Sequence, residues 1–151
     1  MEEIIQLNSE AKLSPHFTLG EMTRSESHPE VYNIPSHEAI ANLKHLCQWL
    51  EVLRERSGGP VRINSGYRSP QLNRKIGGAP NSNHLTGCAA DIRVMGFEQA
   101  IRYAAILLDY ADESGQEFDE LLVERNRFGA IWLHFAVRFR GNRHKVLYIN
   151  A

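Results

Sequence analysis

The 151 residues predict an α+β domain, a small and mostly antiparallel sheet flanked by helices. Two sets of apolar residues recur at helical spacing: Ile40, Leu43, Cys47, Leu50 and Leu53, then Ala100, Tyr103, Ala104 and Leu107. Three strand-like runs follow the second set, at 118–124, 131–139 and 145–150. The length fits one domain, 1–151. With 42% hydrophobic and 23% charged residues, the composition is that of a soluble globular protein.

Each element has a local reason. Thr18 and Glu21 have capping-box spacing and predict a short helix. Ser36, after Pro35, is placed to cap the first long helix, which Ser57-Gly58-Gly59-Pro60 ends. A short strand is expected at 61–64. Ser65-Gly66-Tyr67-Arg68-Ser69 is turn-like, with Pro70 suited to the first position of a short helix. Residues 77–87, rich in Gly, Asn and Ser, read as a loop into a strand at 88–94. The second long helix is expected from Phe97 to about Tyr110. Residues 125–130 contain Gly129 and read as a hairpin loop joining two antiparallel strands.

Composition also excludes. Seventeen Lys and Arg against eighteen Asp and Glu leave a net charge of -1, which argues against a general nucleic-acid binder. Cys47 and Cys88 are too few for a disulfide scaffold or a cysteine-only zinc site. No run is long enough for a membrane span, so membrane insertion is not expected. The N-terminus lacks the apolar core of a signal peptide, so cytoplasmic synthesis is expected. Charge is nonetheless uneven: seven acids and no base occupy 109–124, and four bases and no acid follow from Val137. Both read first as solvated faces, and the basic tail is also suited to docking on an anionic wall.

The densest chemical signal is Ser82-Asn83-His84-Leu85-Thr86-Gly87-Cys88-Ala89-Ala90-Asp91. Imidazole and carboxylate are both zinc ligands, and a loop His with a strand Asp can point at one ion. Alone, the pair reads equally as a surface His beside a capping Asp. His134 lies in the apolar strand Ile131-Trp132-Leu133-His134-Phe135-Ala136-Val137, sharing a face with Trp132 and Ala136. A polar group there requires a partner, and a third ligand for the His84 and Asp91 pair would supply one. Glu124 ends the preceding strand and is placed to act as a general base, with Glu120 and Asp119 as rivals. Arg68, in its tight turn, is placed to clamp a carboxylate or polarise a carbonyl.

Taken together the chain resembles the zinc D-Ala-D-Ala carboxypeptidase family, which includes phage L-alanyl-D-glutamate endolysins and has the hedgehog-type metal fold. The likeness runs from about Phe17 to Val137, through His16-Phe17-Thr18-Leu19-Gly20-Glu21, Ser65-Gly66-Tyr67-Arg68-Ser69, Gly77-Gly78-Ala79, the His84 to Asp91 segment, and Trp132-x-His134. It implies one zinc per chain, held by His84, Asp91 and His134, with Glu124 as base. It further implies that Arg68 positions substrate and steadies the oxyanion, and that Ser82 and Trp132 contact substrate. Several members have His where Trp132 stands, and others have the base where Ile131 stands. Glu124 matches the branches that put the acid at the end of the preceding strand. The implied substrate is a peptidoglycan stem peptide, cut by a carboxypeptidase or an endopeptidase. A monomer is expected, acting on the cell wall if released, in the manner of a phage or prophage endolysin. Two alternatives are a catalytically inactive wall-binding or phage structural module, and a metal-free triad of Ser82, His84 and Asp91.

Overall fold

A computed structural model describes residues 8–150. The acidic start of the chain, read above for the absence of a leader, lies outside the described residues over 1–7. A two-stranded antiparallel ribbon comes first, β1 (Lys12–Ser14) with β2 (Phe17–Thr18). The predicted short helix after Thr18 is instead a turn. Its capping-box bonds are present, with Glu21 N donating to Thr18 Oγ1 at 3.2 Å and Thr18 N to Glu21 Oε1 at 3.3 Å. They close one turn only, because Gly20 follows within two residues and Met22 is drawn into the core.

Helix α1 (His37–Ser57) begins at Ser36, whose side chain accepts from Ala39 N, and ends at Gly58 in the left-handed conformation. It buries Leu43, Leu46, Trp49, Leu50 and Leu53. Strand β3 (Ile63–Ser65) starts later than the sequence predicts, and α2 (Pro70–Lys75) starts at Pro70 with Ser69 as its cap. Within the Gly-rich loop a 3-10 helix (Asn83–Thr86) carries His84 into β4 (Ala89–Arg93). Helix α3 (Phe97–Ser114) runs four residues past the predicted end, since Ala111 extends its buried face and the first left-handed glycine is Gly115.

The three C-terminal runs form β5 (Glu120–Arg125), β6 (Ile131–Ala136) and β7 (Lys145–Asn150). The sheet order is β3-β4-β6-β5-β7. The pairs β3/β4, β4/β6 and β5/β6 are antiparallel, whereas β7 lies parallel to β5 at the edge. The 137–144 connection makes the parallel return possible. Helices α1 and α3 cover one face of the sheet. There Leu121, Leu133, Phe135 and Ile92 join Trp49 and Leu107 in the core. Because strand side chains alternate, the intervening residues face away from the helices. These are Asp91 on β4, Trp132 and His134 on β6, and Glu120, Leu122 and Glu124 on β5.

Candidate metal centre

His84 is placed by local chemistry. Ser82 Oγ accepts from His84 N at 3.1 Å and starts the 3-10 helix, which Gly87 ends at φ 78°. Asn42 of α1 donates to Thr86 O at 2.8 Å, tying the loop to the helix. The His84 ring is buried, and its Nδ1–H donates to Gly66 O at 2.7 Å. A carbonyl only accepts, so in the neutral ring it is Nε2 that carries the lone pair. It lies 3.3 Å from Asp91 Oδ1. Gly66 itself is packed against the chain at Met22: an added Cβ would fall 2.4 Å from Met22 O.

Asp91 and His134 are direct cross-strand partners in the β4/β6 pairing. His134 Nδ1 is 3.0 Å from Asp91 Oδ1. The three ligand atoms of His84, Asp91 and His134 all lie within 4.8 Å of one another. The second Asp91 oxygen accepts from Arg68 Nη2 at 3.1 Å, and Arg68 Nε donates to Ser65 Oγ at 3.0 Å. Arg68 therefore reaches the site as expected, but two of its N–H groups hold Asp91 and the turn. The remaining three make no hydrogen bond to another of the described residues and are placed to meet a substrate.

Glu124 lies opposite Trp132 in the β5/β6 register, and its Oε2 accepts from Trp132 Nε1 at 2.7 Å. Trp132 thus supports the carboxylate from the neighbouring strand. Burial, with Asp91 nearby, raises the Glu124 carboxyl above its usual range. Glu120 has other partners: its Oε1 is 3.0 Å from His134 Nε2 and 2.6 Å from Asn83 Nδ2. The hydrogen bond from His134 outweighs burial and holds Glu120 down at about 2. Burial opposes the charge on Asp91 too, yet His84 and His134 keep its carboxyl far below the usual range. Burial likewise opposes the charge on His134, but Asp91 and Glu120 together push the ring up to about 10.

Asp119 does not face the ligands. It is fully buried, accepting from Arg143 N, Nε and Nη2 at 2.9, 3.0 and 2.8 Å and from Asn83 Nδ2 at 2.7 Å. Of the acidic stretch, Asp109, Asp112, Glu113 and Glu117 are exposed as a solvated face requires, whereas Asp119, Glu120 and Glu124 have interior partners. In the basic tail Arg140, Arg143 and Lys145 are exposed as expected, while Arg138 and Arg143 also pair with Asp119. The sequence assigned Glu120 no such contact. The available signal was its two-residue phase with Leu122 and Glu124, which puts all three on one face.

These groups surround an open cleft of about 470 Å³, lined also by Ser82, Gly78 and Leu122. Two imidazole nitrogens and a carboxylate oxygen converge there with a second layer of carboxylates behind them. That donor set fits a zinc-type cation with room left for another ligand. The Ser82, His84, Asp91 triad is not assembled. Ser82 Oγ meets the main chain of His84, and the ring nitrogens of His84 face Gly66 O and Asp91.

Comparison with known proteins agrees with this geometry. Residues 15–121 match the family model for peptidase M15. The matched stretch contains Arg68, His84 and Asp91, while Glu124, Trp132 and His134 lie beyond it and join the site through sheet pairing. The chain is also 33% identical over 91 residues to a zinc D-Ala-D-Ala carboxypeptidase of Streptomyces albus G. That match covers 60% of this chain and 36% of the relative, little more than a third of the relative's length. With over two thirds of its residues in the family match and an α+β sheet that brings the ligand set together, the chain belongs to the peptidase M15 family.

Proposed function

We propose that the chain, acting as one domain, hydrolyses peptide bonds in peptidoglycan stem peptides with one zinc held by His84, Asp91 and His134. The observation that carries this is the convergence of His84 Nε2, Asp91 Oδ1 and His134 Nδ1 in a cleft that also holds the half-buried Glu124. Zinc bound there would supply Lewis acidity for the scissile carbonyl and make water a nucleophile near neutral pH. Glu124 takes the proton from the attacking water and later passes it to the leaving amine. Its raised carboxyl suits this exchange, and the Trp132 N–H fixes its direction. Arg68 donates from Nη2 to Asp91 and from Nε to Ser65, and offers its other N–H groups to the substrate carbonyl or to a carboxylate of the stem. Ser82 and Trp132 line the cleft where the peptide would lie. A carboxypeptidase and an endopeptidase would share this machinery and differ in the surrounding loops. The exposed Arg140, Arg143 and Lys145 suit an enzyme that meets an anionic wall after release, as phage endolysins do.

The test is digestion of purified peptidoglycan, with mass analysis of the products and zinc measured on the same sample. One zinc per chain and cleaved stem peptides are expected, with both lost in His84→Ala. Glu124→Gln should keep zinc and lose nearly all turnover. Full activity in metal-free protein would refute the metal reading. Bound zinc with no cleavage would favour a wall-binding module, and an active Glu124→Gln would remove Glu124 from the proton transfer.

A further inference from the structure

We infer that Glu120 is a positioning residue for the metal site: its carboxylate accepts the hydrogen on His134 Nε2 and so turns the Nδ1 lone pair toward His84 and Asp91. The inference rests on the zinc reading above and assigns Glu120 a role apart from proton transfer.

His134 has a neighbour at each ring nitrogen. Nδ1 lies 3.0 Å from Asp91 Oδ1, and Nε2 lies 3.0 Å from Glu120 Oε1. A neutral imidazole offers one N–H and one lone pair, and both neighbours are acceptors. When a cation occupies the space between Nδ1 and Asp91, the lone pair must be on Nδ1 and the hydrogen on Nε2. Glu120 is then the acceptor that selects this form and fixes the ring plane. It reaches His134 diagonally across the β5/β6 pair, since its direct partner is Ala136 and that of His134 is Leu122.

Glu120 is in turn held from the other ligand loop. The Asn83 amide donates one N–H to Glu120 Oε1 at 2.6 Å and the other to Asp119 Oδ2 at 2.7 Å. Its own oxygen accepts from Arg138 Nε at 2.9 Å. Asn83 precedes His84 on the 3-10 helix. A single buried amide therefore connects the loop that carries one histidine ligand to the carboxylate that orients the other. Glu120 Oε1 is occupied by two donors, whereas Glu124 has the Trp132 N–H alone among the described residues. That difference separates a positioning carboxylate from one available to move a proton.

The test compares native protein, Glu120→Ala and Glu120→Gln for zinc affinity by chelator competition, for turnover, and for the His134 tautomer by nitrogen-15 NMR of the zinc-loaded protein. Glu120→Ala should weaken zinc by roughly 10- to 100-fold. Glu120→Gln, whose amide oxygen still accepts from Nε2–H, should stay within a few-fold of native in affinity and keep turnover. The native spectrum should show hydrogen on His134 Nε2 and none on Nδ1. Native-like zinc affinity in Glu120→Ala, or hydrogen on Nδ1, would overturn the inference while leaving the zinc reading intact. Glu120→Gln that keeps zinc but loses turnover would also overturn it, by making Glu120 the base. Native protein that binds no zinc would overturn the metal reading and this inference with it. If Glu120→Ala does not fold, the native tautomer and the Glu120→Gln affinity decide.

Discussion

Gly58 and Gly87 share one backbone conformation, φ 78° and ψ 16°, but not the same surroundings. Any L-residue in that left-handed region costs about 1–2 kcal/mol. At Gly58, which ends α1, an added Cβ meets nothing within 4 Å. At Gly87 it would fall 2.5 Å from Ala39 O and 3.2 Å from Ala39 C and Leu43 Cγ. The first of these is main chain of the opening turn of α1, which can yield only if the helix or the loop moves. Overpacking of this kind adds about 1–3 kcal/mol. Gly58→Ala should therefore lose about 1–2 kcal/mol of stability and Gly87→Ala about 2–5 kcal/mol, by urea unfolding under identical metal-free conditions. The shared dihedral cost cancels in the difference, leaving the contact between α1 and the ligand loop. Gly87 N also donates to His84 O at 3.3 Å, so zinc affinity should fall in Gly87→Ala and not in Gly58→Ala. Equal destabilisation of the two variants would refute the claim that α1 braces the His84 loop.

Trp132→Phe keeps the aromatic bulk and removes the donor to Glu124. A hydrogen bond to a charged group contributes about 1.5–3 kcal/mol, so turnover should fall by roughly 10- to 150-fold with zinc content unchanged. That bond lowers the Glu124 carboxyl, so its loss should move the acid limb of kcat/KM to higher pH; an unmoved limb would contradict the pairing. Asp119 gives a pH effect on stability. Burial opposes its charge, but Arg143, Asn83 and Arg138 bring it from 3.8 to about 2. Its contribution is therefore present above the ordinary carboxyl range and lost as pH falls through the lowered one. The stability gap between native and Asp119→Asn should close as pH drops from roughly 5 to 2. A gap that stays constant over that range would show that the buried carboxylate is not the source.

The elements were legible where a few neighbouring residues settle them. Ser36, Gly58 and Pro70 set helix ends through bonds within a single turn, and each is where the sequence places it. The Thr18–Glu21 pair shows the limit: the same bonds form, but core packing of Met22 leaves a turn in place of a helix. In the site, alternation along 131–136 was enough to put His134 opposite Leu133 and Phe135. His84 and Asp91 fall on a loop and a strand as read, each offering one atom able to hold a metal.

What sequence alone determined is thus the set of elements and the residues able to hold a metal, since caps, periods and ligand types act over a few residues. Tertiary structure alone decided the partners. Glu120 and Glu124 have the same strand phase, and only the β5/β6 register gives one to His134 and the other to Trp132. Only the sheet order brings Asp91 beside His134, 43 residues away, and only the turn at Gly66 gives His84 Nδ1 its acceptor. The parallel placement of β7 and the burial of Asp119 under Arg143 likewise depend on where the 137–144 connection returns. A hydrogen bond selects its partner within about 3 Å. No pattern along the chain specifies distances that small between segments that far apart.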